Sequence, residues 1–145
     1  MKEISKDLAD SQRIARNFIE GLEPKSKATV VALNGDLGSS KTTFSQFVGL
    51  ALGVEENMPS PTFLIERIYE LEDKSWKYLI HIDAYRLDSS AELLHLGWKD
   101  LIENKENLIL VEWAEKIKDI LPSDTTTVSF RFINESEREI EIHEN

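Results

Sequence analysis

The sequence predicts a three-layer α/β domain with a central mixed β-sheet and a C-terminal hairpin. Three observations carry this. Apolar β-branched runs alternate with stretches of helical period, as in "ATVVALN" (28–34) followed by "KTTFSQFVGLALG" (41–53). A glycine-bearing turn, "GDLGSSKTT" (35–43), joins that first pair. The last two segments, "TTTVSFRFI" and "REIEIHE", alternate apolar and polar residues around "NESE".

The elements follow in order. Residues 5–20 read as a helix, because Leu8, Ala15, Phe18, Ile19 and Leu22 recur on about one face and Gly21 offers a stop. Residues 28–34 are short and apolar enough for a buried strand. In the next helix Phe44, Phe47, Val48 and Ala51 keep i, i+3, i+4, i+7 spacing, and Gly53 can terminate it. "PSPTF" (59–63) is a rigid loop, and residues 64–71 and 76–85 read as strands around the polar turn "EDKS". Ser89 stands three residues before Glu92, a capping-box spacing that starts a helix running to Gly97, with a second short turn after it. "NLILVEW" (107–113) is an apolar strand that ends on an acid, and "AEKIKDIL" a short helix stopped before Pro122. No internal repeat or low-complexity linker divides the chain, so residues 1–145 are read as one domain.

Composition narrows the function. Hydrophobic residues make up 41% and charged residues 30% of 145, the profile of a soluble domain large enough for a real core. There is no apolar run of about 18 residues, and "MKEISKDLAD" lacks a signal-peptide core, so a cytoplasmic protein with no membrane span is expected. Cysteine is absent, which removes disulfides and thiolate metal sites. Lys+Arg 17 against Asp+Glu 27 gives a net charge of −10 without a basic run. Such a surface repels phosphate backbones, so direct DNA binding is not expected and any RNA-related role would run through a basic partner.

The turn at 35–43 carries the main chemistry. A phosphate-binding loop has Gly, four residues, then Gly-Lys-Ser/Thr. Gly35, Lys41 and Thr42 fit, and Ser40 stands where the second glycine belongs. In such a loop backbone N–H groups form an anion nest, the helix adds its positive end, the lysine reaches the phosphates and the hydroxyl ligates Mg²⁺. The plain alternative is a strand-to-helix turn with a solvated lysine; the strand before and helix after argue against it. Ser40 leaves three options open: a tolerated change that weakens binding, a crippled site, or an engineered or sequencing-level change.

Three further segments could complete a site. Glu112, at the end of "LILVE", suits a metal-coordinating or water-ordering carboxylate, or simply marks the strand's exit into solvent. In "HIDAYR", Ile80 and Ile82 point one way and His81 and Asp83 the other. Asp83 suits a contact to metal-bound water or a general base, and Arg86 a phosphate; His81 reads first as a hydrogen-bonded core histidine. No second His or Cys stands at ligand spacing, which argues against zinc. In "SPTF", Thr62 follows a fixed proline, as a γ-phosphate-sensing threonine would, or as part of a plain turn.

"GDLGSSKTTFSQFVGLALGV", "SPTFLIERIYE", "HIDAYRLDSSAELLHLGWKDLI" and "LVEWAEKIKDILP" stand in the order and spacing of the bacterial TsaE (YjeE) proteins. The chain resembles that family closely over residues 28–122 and more loosely in the terminal hairpin. These are small P-loop ATPases needed for the threonylcarbamoyladenosine modification of tRNA. The resemblance implies a P-loop NTPase-like fold, ATP and Mg²⁺ as cofactors, and action on the TsaD–TsaB pair, with tRNA met only indirectly. It implies an ATP loop of Gly35, Asp36, Leu37, Gly38, Ser39, Ser40, Lys41, Thr42 and Thr43, with Thr42 and Glu112 as Mg²⁺ ligands. Lys41, Thr62, Asp83 and Glu112 form the implied catalytic set, Thr62 and Asp83 as switch and catalytic-site residues. Trp113 would lie near the nucleotide or under the site. Arg138 falls where the family often has Gly-Arg near the nucleotide, although Glu137 replaces the glycine.

The function expected is a Mg²⁺-dependent ATP-binding and hydrolysing accessory protein of that modification complex. Slow intrinsic turnover is expected, because no arginine finger lies in the motifs. The alternative is a nucleotide-impaired binding module of the same complex, favoured by Ser40. A small-molecule kinase would need a substrate region and lid for which 145 residues leave little room.

Overall fold

The computed structural model describes residues 1–35, 40–54 and 66–144. The elements are β1 (Lys2–Ser5), α1 (Leu8–Gly21), β2 (Thr29–Gly35), α2 (Lys41–Ala51), β3 (Glu66–Glu70), β4 (Tyr78–Asp83), α3 (Ser90–His95), α4 (Trp98–Glu103), β5 (Asn107–Glu112), a 3-10 helix (Ala114–Ile120), β6 (Thr126–Phe132) and β7 (Arg138–His143). Among the described residues seven strands form one mixed sheet in the order β1-β7-β6-β2-β5-β4-β3. β2 runs parallel to both β5 and β6, and β4 parallel to β5. β3, β7 and β1 pair antiparallel with their neighbours, and β6–β7 is the expected C-terminal hairpin. None of the described helices is long and apolar enough to cross a membrane.

Strand alternation sorts the core into two layers. Val31, Leu33, Leu79, Leu108 and Leu110 face α1 and α2, where Ile14, Phe18, Phe44 and Val48 meet them. Val30, Ala32, Ile80, Ile82, Ile109 and Val111 face the other way, onto Leu93 of α3, Trp98 of α4 and Ile117 of the 3-10 helix. Both faces of the parallel strands are thus covered, which is why those strands read as unbroken apolar runs. Phe44 is buried between Phe18 and Phe130, at ring-centroid distances of 6.0 and 5.2 Å. Burying one such side chain stabilises the fold by about 1.5–3 kcal/mol, and this one anchors the first turn of α2 to the sheet.

Several elements differ from the sequence reading. The first helix begins at Leu8, and residues 2–5 are strand β1 on the edge beside β7. Asp7 sets that boundary: its carboxylate accepts the Asp10 N–H at 2.8 Å, and the Ser5 hydroxyl donates to its carbonyl at 2.9 Å. The stretch 89–102 is two helices with Gly97 between them at φ +91, the short turn being α4. Its capping box does not form. Ser89 makes no side-chain cap bond, and Glu92 accepts from the Asp88 N–H at 3.2 Å. The segment after β5 is 3-10 and kinked at Ile117.

The edge of the sheet is tied by one carboxylate. Glu139 on β7 accepts from Arg131 Nε on β6 at 3.0 Å and pairs with Lys2 of β1 at 3.2 Å. The hydrogen bonds from Arg131, then from Lys2, hold its carboxyl below the ordinary value of 4.5. A depressed acid contributes stability that is present above the unfolded value and lost as pH falls through the folded one. Glu139→Gln is therefore expected to lower the urea midpoint at pH 7, with the gap to the parent closing as pH falls below the carboxylate range. A gap that is constant with pH would contradict this account.

Candidate functional site

Parallel pairing brings three strand ends to one rim of the sheet. The register places Leu33 of β2 beside Glu112 of β5, and Glu112 beside Asp83 of β4. Gly35 ends β2 at φ +149, a backbone conformation that glycine supplies without a Cβ clash. Sheets of this kind bind ligands outside the carboxyl ends of their parallel strands. α2 begins at this rim, with Lys41 as its first residue.

Two residues at the start of α2 reach the ends of β2 and β5. The Lys41 ammonium is buried, donates to the Gly35 carbonyl at 2.5 Å and lies 3.9 Å from the centroid of the Trp113 ring. The Thr42 hydroxyl donates to Glu112 Oε1 at 2.7 Å. Glu112 is 2% exposed, and its Oε2 is hydrogen-bonded to His81 Nε2. Thr43 is half-buried on the same turn. Asp83 is half-buried beside Glu112, and its Oδ1 accepts the Tyr85 N–H at 2.9 Å. Arg86 is exposed in the turn that follows.

Trp113 stands in the left-handed region at φ +59, where a side chain costs roughly 1–2 kcal/mol. The surrounding chain holds it there. Its N–H donates to the Leu33 carbonyl at 3.1 Å, and the Ala84 N–H donates to the Glu112 carbonyl at 3.0 Å. Tyr85 packs on Trp113 with ring centroids 5.0 Å apart, and Lys116 lies 5.9 Å from the Tyr85 ring. Strained backbone of this sort concentrates at binding and catalytic sites.

Ser40 is strained in the same sense, at φ +84. It is the residue before α2, yet its side chain makes no cap hydrogen bond, and the first turn holds no acid. Neither Ser40 nor the first turn therefore neutralises the positive end of α2. Beside Ser40 opens a cavity of about 560 Å³, lined by Leu8 and Ser11 of α1 and by Ser136 and Arg138 of the hairpin. Arg138 Nη1 donates to the Asn134 carbonyl at 2.5 Å, and its guanidinium lies 4.6 Å from the Phe132 ring.

Of the expected site residues, Gly35, Ser40, Lys41, Thr42, Asp83, Glu112 and Trp113 gather at this rim, and Arg138 lines the cavity next to Ser40. Asp36, Leu37, Gly38, Ser39 and Thr62 lie outside the described residues. His81 and Tyr85 were not expected as partners of Glu112 and Trp113. Alternation in "HIDAY" places His81 on the face of Asp83, but only the β4–β5 pairing brings it to Glu112. Glu66, at the start of β3, has its carboxyl pushed up by burial, and its Oε2 has no hydrogen-bond partner among the described residues.

The chain has clear relatives. The family model described as "Threonylcarbamoyl adenosine biosynthesis protein TsaE" matches residues 5–140. The tRNA threonylcarbamoyladenosine biosynthesis protein TsaE of Rickettsia prowazekii (strain Madrid E) is 35% identical over 136 residues, covering 92% of this chain and 88% of the relative. The protein of the same description from Haemophilus influenzae is 35% identical over 116 residues, covering 80% and 70%. The crystal structure of Bacillus subtilis YdiB superposes with a TM-score of 0.75 at 27% identity, covering 97% of this chain and 82% of that one.

Replacing Ser40 by glycine tests the strain directly. Relief of the left-handed penalty, about 1–2 kcal/mol, is partly offset by glycine's extra freedom in the unfolded chain, about 0.5–1 kcal/mol. Ser40→Gly should therefore raise the unfolding free energy by up to about 1 kcal/mol in urea denaturation. A loss of that size would contradict the strain.

Proposed function

The chain belongs to the TsaE family of tRNA threonylcarbamoyladenosine biosynthesis proteins, and on that premise we propose that it is a Mg²⁺-dependent ATPase of the modification machinery, acting on the TsaD–TsaB pair. One observation carries the ATPase reading: Thr42, at the N-terminal turn of α2, is 2.7 Å from the carboxylate that ends β5. A hydroxyl and a carboxylate oxygen at this spacing are hard donors of the type Mg²⁺ takes. Thr42 Oγ1 keeps a lone pair for a cation while its O–H points at Glu112 Oε1. Thr42 and Glu112 would hold the metal, which when bound offsets charge developing on the phosphates.

The chain's own residues supply the rest. The Lys41 ammonium is already desolvated, with a carbonyl and an indole face among its partners. A β- or γ-phosphate oxygen is a stronger acceptor than either. The end of α2 adds its dipole and N–H groups to the same anion. Asp83, one strand over from Glu112, would orient an attacking water. The nucleoside would lie in the cavity beside Ser40, where Leu8 offers an apolar surface, Arg138 a planar cation, and Asp7 and Glu135 acceptors for base or ribose donors. Catalysis of this kind would be positioning plus electrostatics, and because no arginine finger lies in the motifs, turnover without a partner would be slow.

The second reading is a family member that docks without turnover. Ser40 at φ +84 favours it, because its Cβ and hydroxyl occupy space that a glycine would leave to the phosphates. Calorimetry separates the two. On the ATPase reading ATP·Mg²⁺ binds the parent chain and binds Ser40→Gly more tightly; on the docking reading only Ser40→Gly binds.

Two results are expected beyond that. Lys41→Ala should weaken ATP binding by about 10- to 100-fold, the loss of a charge-assisted contact, with little change in melting temperature. Hydrolysis by the purified chain should be slow and rise when TsaD and TsaB are added. Fast hydrolysis that the partners leave unchanged would contradict the proposal.

A further inference from the structure

Glu112 is held on both oxygens, by Thr42 on Oε1 and by His81 on Oε2. The two partners come from different elements, α2 and β4. His81 is fully buried on the sheet face that carries Glu112 and Asp83. With Glu112 as a carboxylate, which accepts only, the hydrogen of this contact is assigned to His81 Nε2. His81 Nδ1 is then left buried with no hydrogen-bond partner among the described residues. An apolar residue would fill this position in the core without that loss. The arrangement makes sense if the Nε2–H matters to Glu112.

With Thr42 alone, the carboxylate would be free to turn about its last bond, a torsion with broad minima. A second donor on the opposite oxygen removes that freedom. We propose that His81 is a positioning residue: its Nε2–H fixes the Glu112 carboxylate so that Oε1 stays with the Thr42 hydroxyl and with the cation this pair would hold. The inference rests on the nucleotide-site reading above and extends it by one residue. Partners of this kind behind a metal-binding carboxylate are worth about 10- to 100-fold in metal affinity.

The test uses Mn²⁺ as the metal and ADP as the nucleotide. Mn²⁺ binding to the ADP-loaded protein is read by electron paramagnetic resonance, and metal-free ADP binding by calorimetry in chelator. His81→Gln keeps a donor at about the reach of Nε2, whereas His81→Leu has none. The expected result is Mn²⁺ affinity near that of the parent for His81→Gln and about 10- to 100-fold weaker for His81→Leu, with equal metal-free ADP affinity in all three. Parent-like Mn²⁺ binding by His81→Leu, or equal weakening in both variants, overturns the inference and leaves the nucleotide site standing. A parent chain that binds no ADP overturns the nucleotide site and this inference with it. Should His81→Leu fail to fold, long-range ¹H–¹⁵N spectra of the parent decide. The Nε2–H tautomer at His81, with and without Mg²⁺, supports the inference, and the Nδ1–H tautomer overturns it.

Discussion

The hydrogen bond between Thr42 and Glu112 is the contact on which the rest of the rim depends. Glu112 lies at the end of a strand that is buried along its whole length. A carboxylate there that lost its partners would cost several kcal/mol. The chain meets that demand from two sides, with a hydroxyl from α2 and an imidazole from β4. The same contact ties the start of α2 to the centre of the sheet. It therefore sets where Lys41 stands, one residue earlier, and so where an anion would be held.

Strain gathers around this contact. Ser40 and Trp113 both adopt left-handed backbone, the first directly before Lys41 in the chain and the second with its ring 3.9 Å from the Lys41 ammonium. At Trp113 the turn is held by the hydrogen bond that its N–H donates to the Leu33 carbonyl of β2, and the ring meets the Lys41 ammonium. At Ser40 the carbonyl accepts the Phe44 N–H at 2.9 Å, but the side chain makes no cap hydrogen bond among the described residues. The physical contrast is between a strained residue that the fold uses and one that it tolerates. A glycine at position 40 would give the same turn without the left-handed strain, at the smaller entropic cost of its freedom in the unfolded chain.

The parallel core was legible in the sequence because burial on both faces leaves continuous apolar runs, as at Val30–Leu33 and Leu108–Val111. The hairpin was legible from the two-residue alternation at Val128, Phe130, Ile140 and Ile142. β1 was not, because Lys2–Ser5 is a short, mostly exposed edge strand whose assignment comes from pairing with β7. The capping box failed because Ser89 and Glu92 have the spacing but Glu92 bonds one residue earlier, at Asp88. At the site, Lys41, Thr42 and Glu112 could be picked out because residue type and strand-end position both pointed to them. His81 and Tyr85 could not be given their partners, since both contacts cross between elements distant in sequence.

On the proposed function, the start of α2 and the end of β5 together form one site for a nucleotide and its metal. The most direct measurement is a crystal structure of the chain with a non-hydrolysable ATP analogue and Mg²⁺. The phosphates are expected at the first turn of α2 within reach of Lys41, and the metal at Thr42 and Glu112. An analogue that binds elsewhere at saturating concentration, with the Thr42–Glu112 contact unattended by any cation, would contradict it.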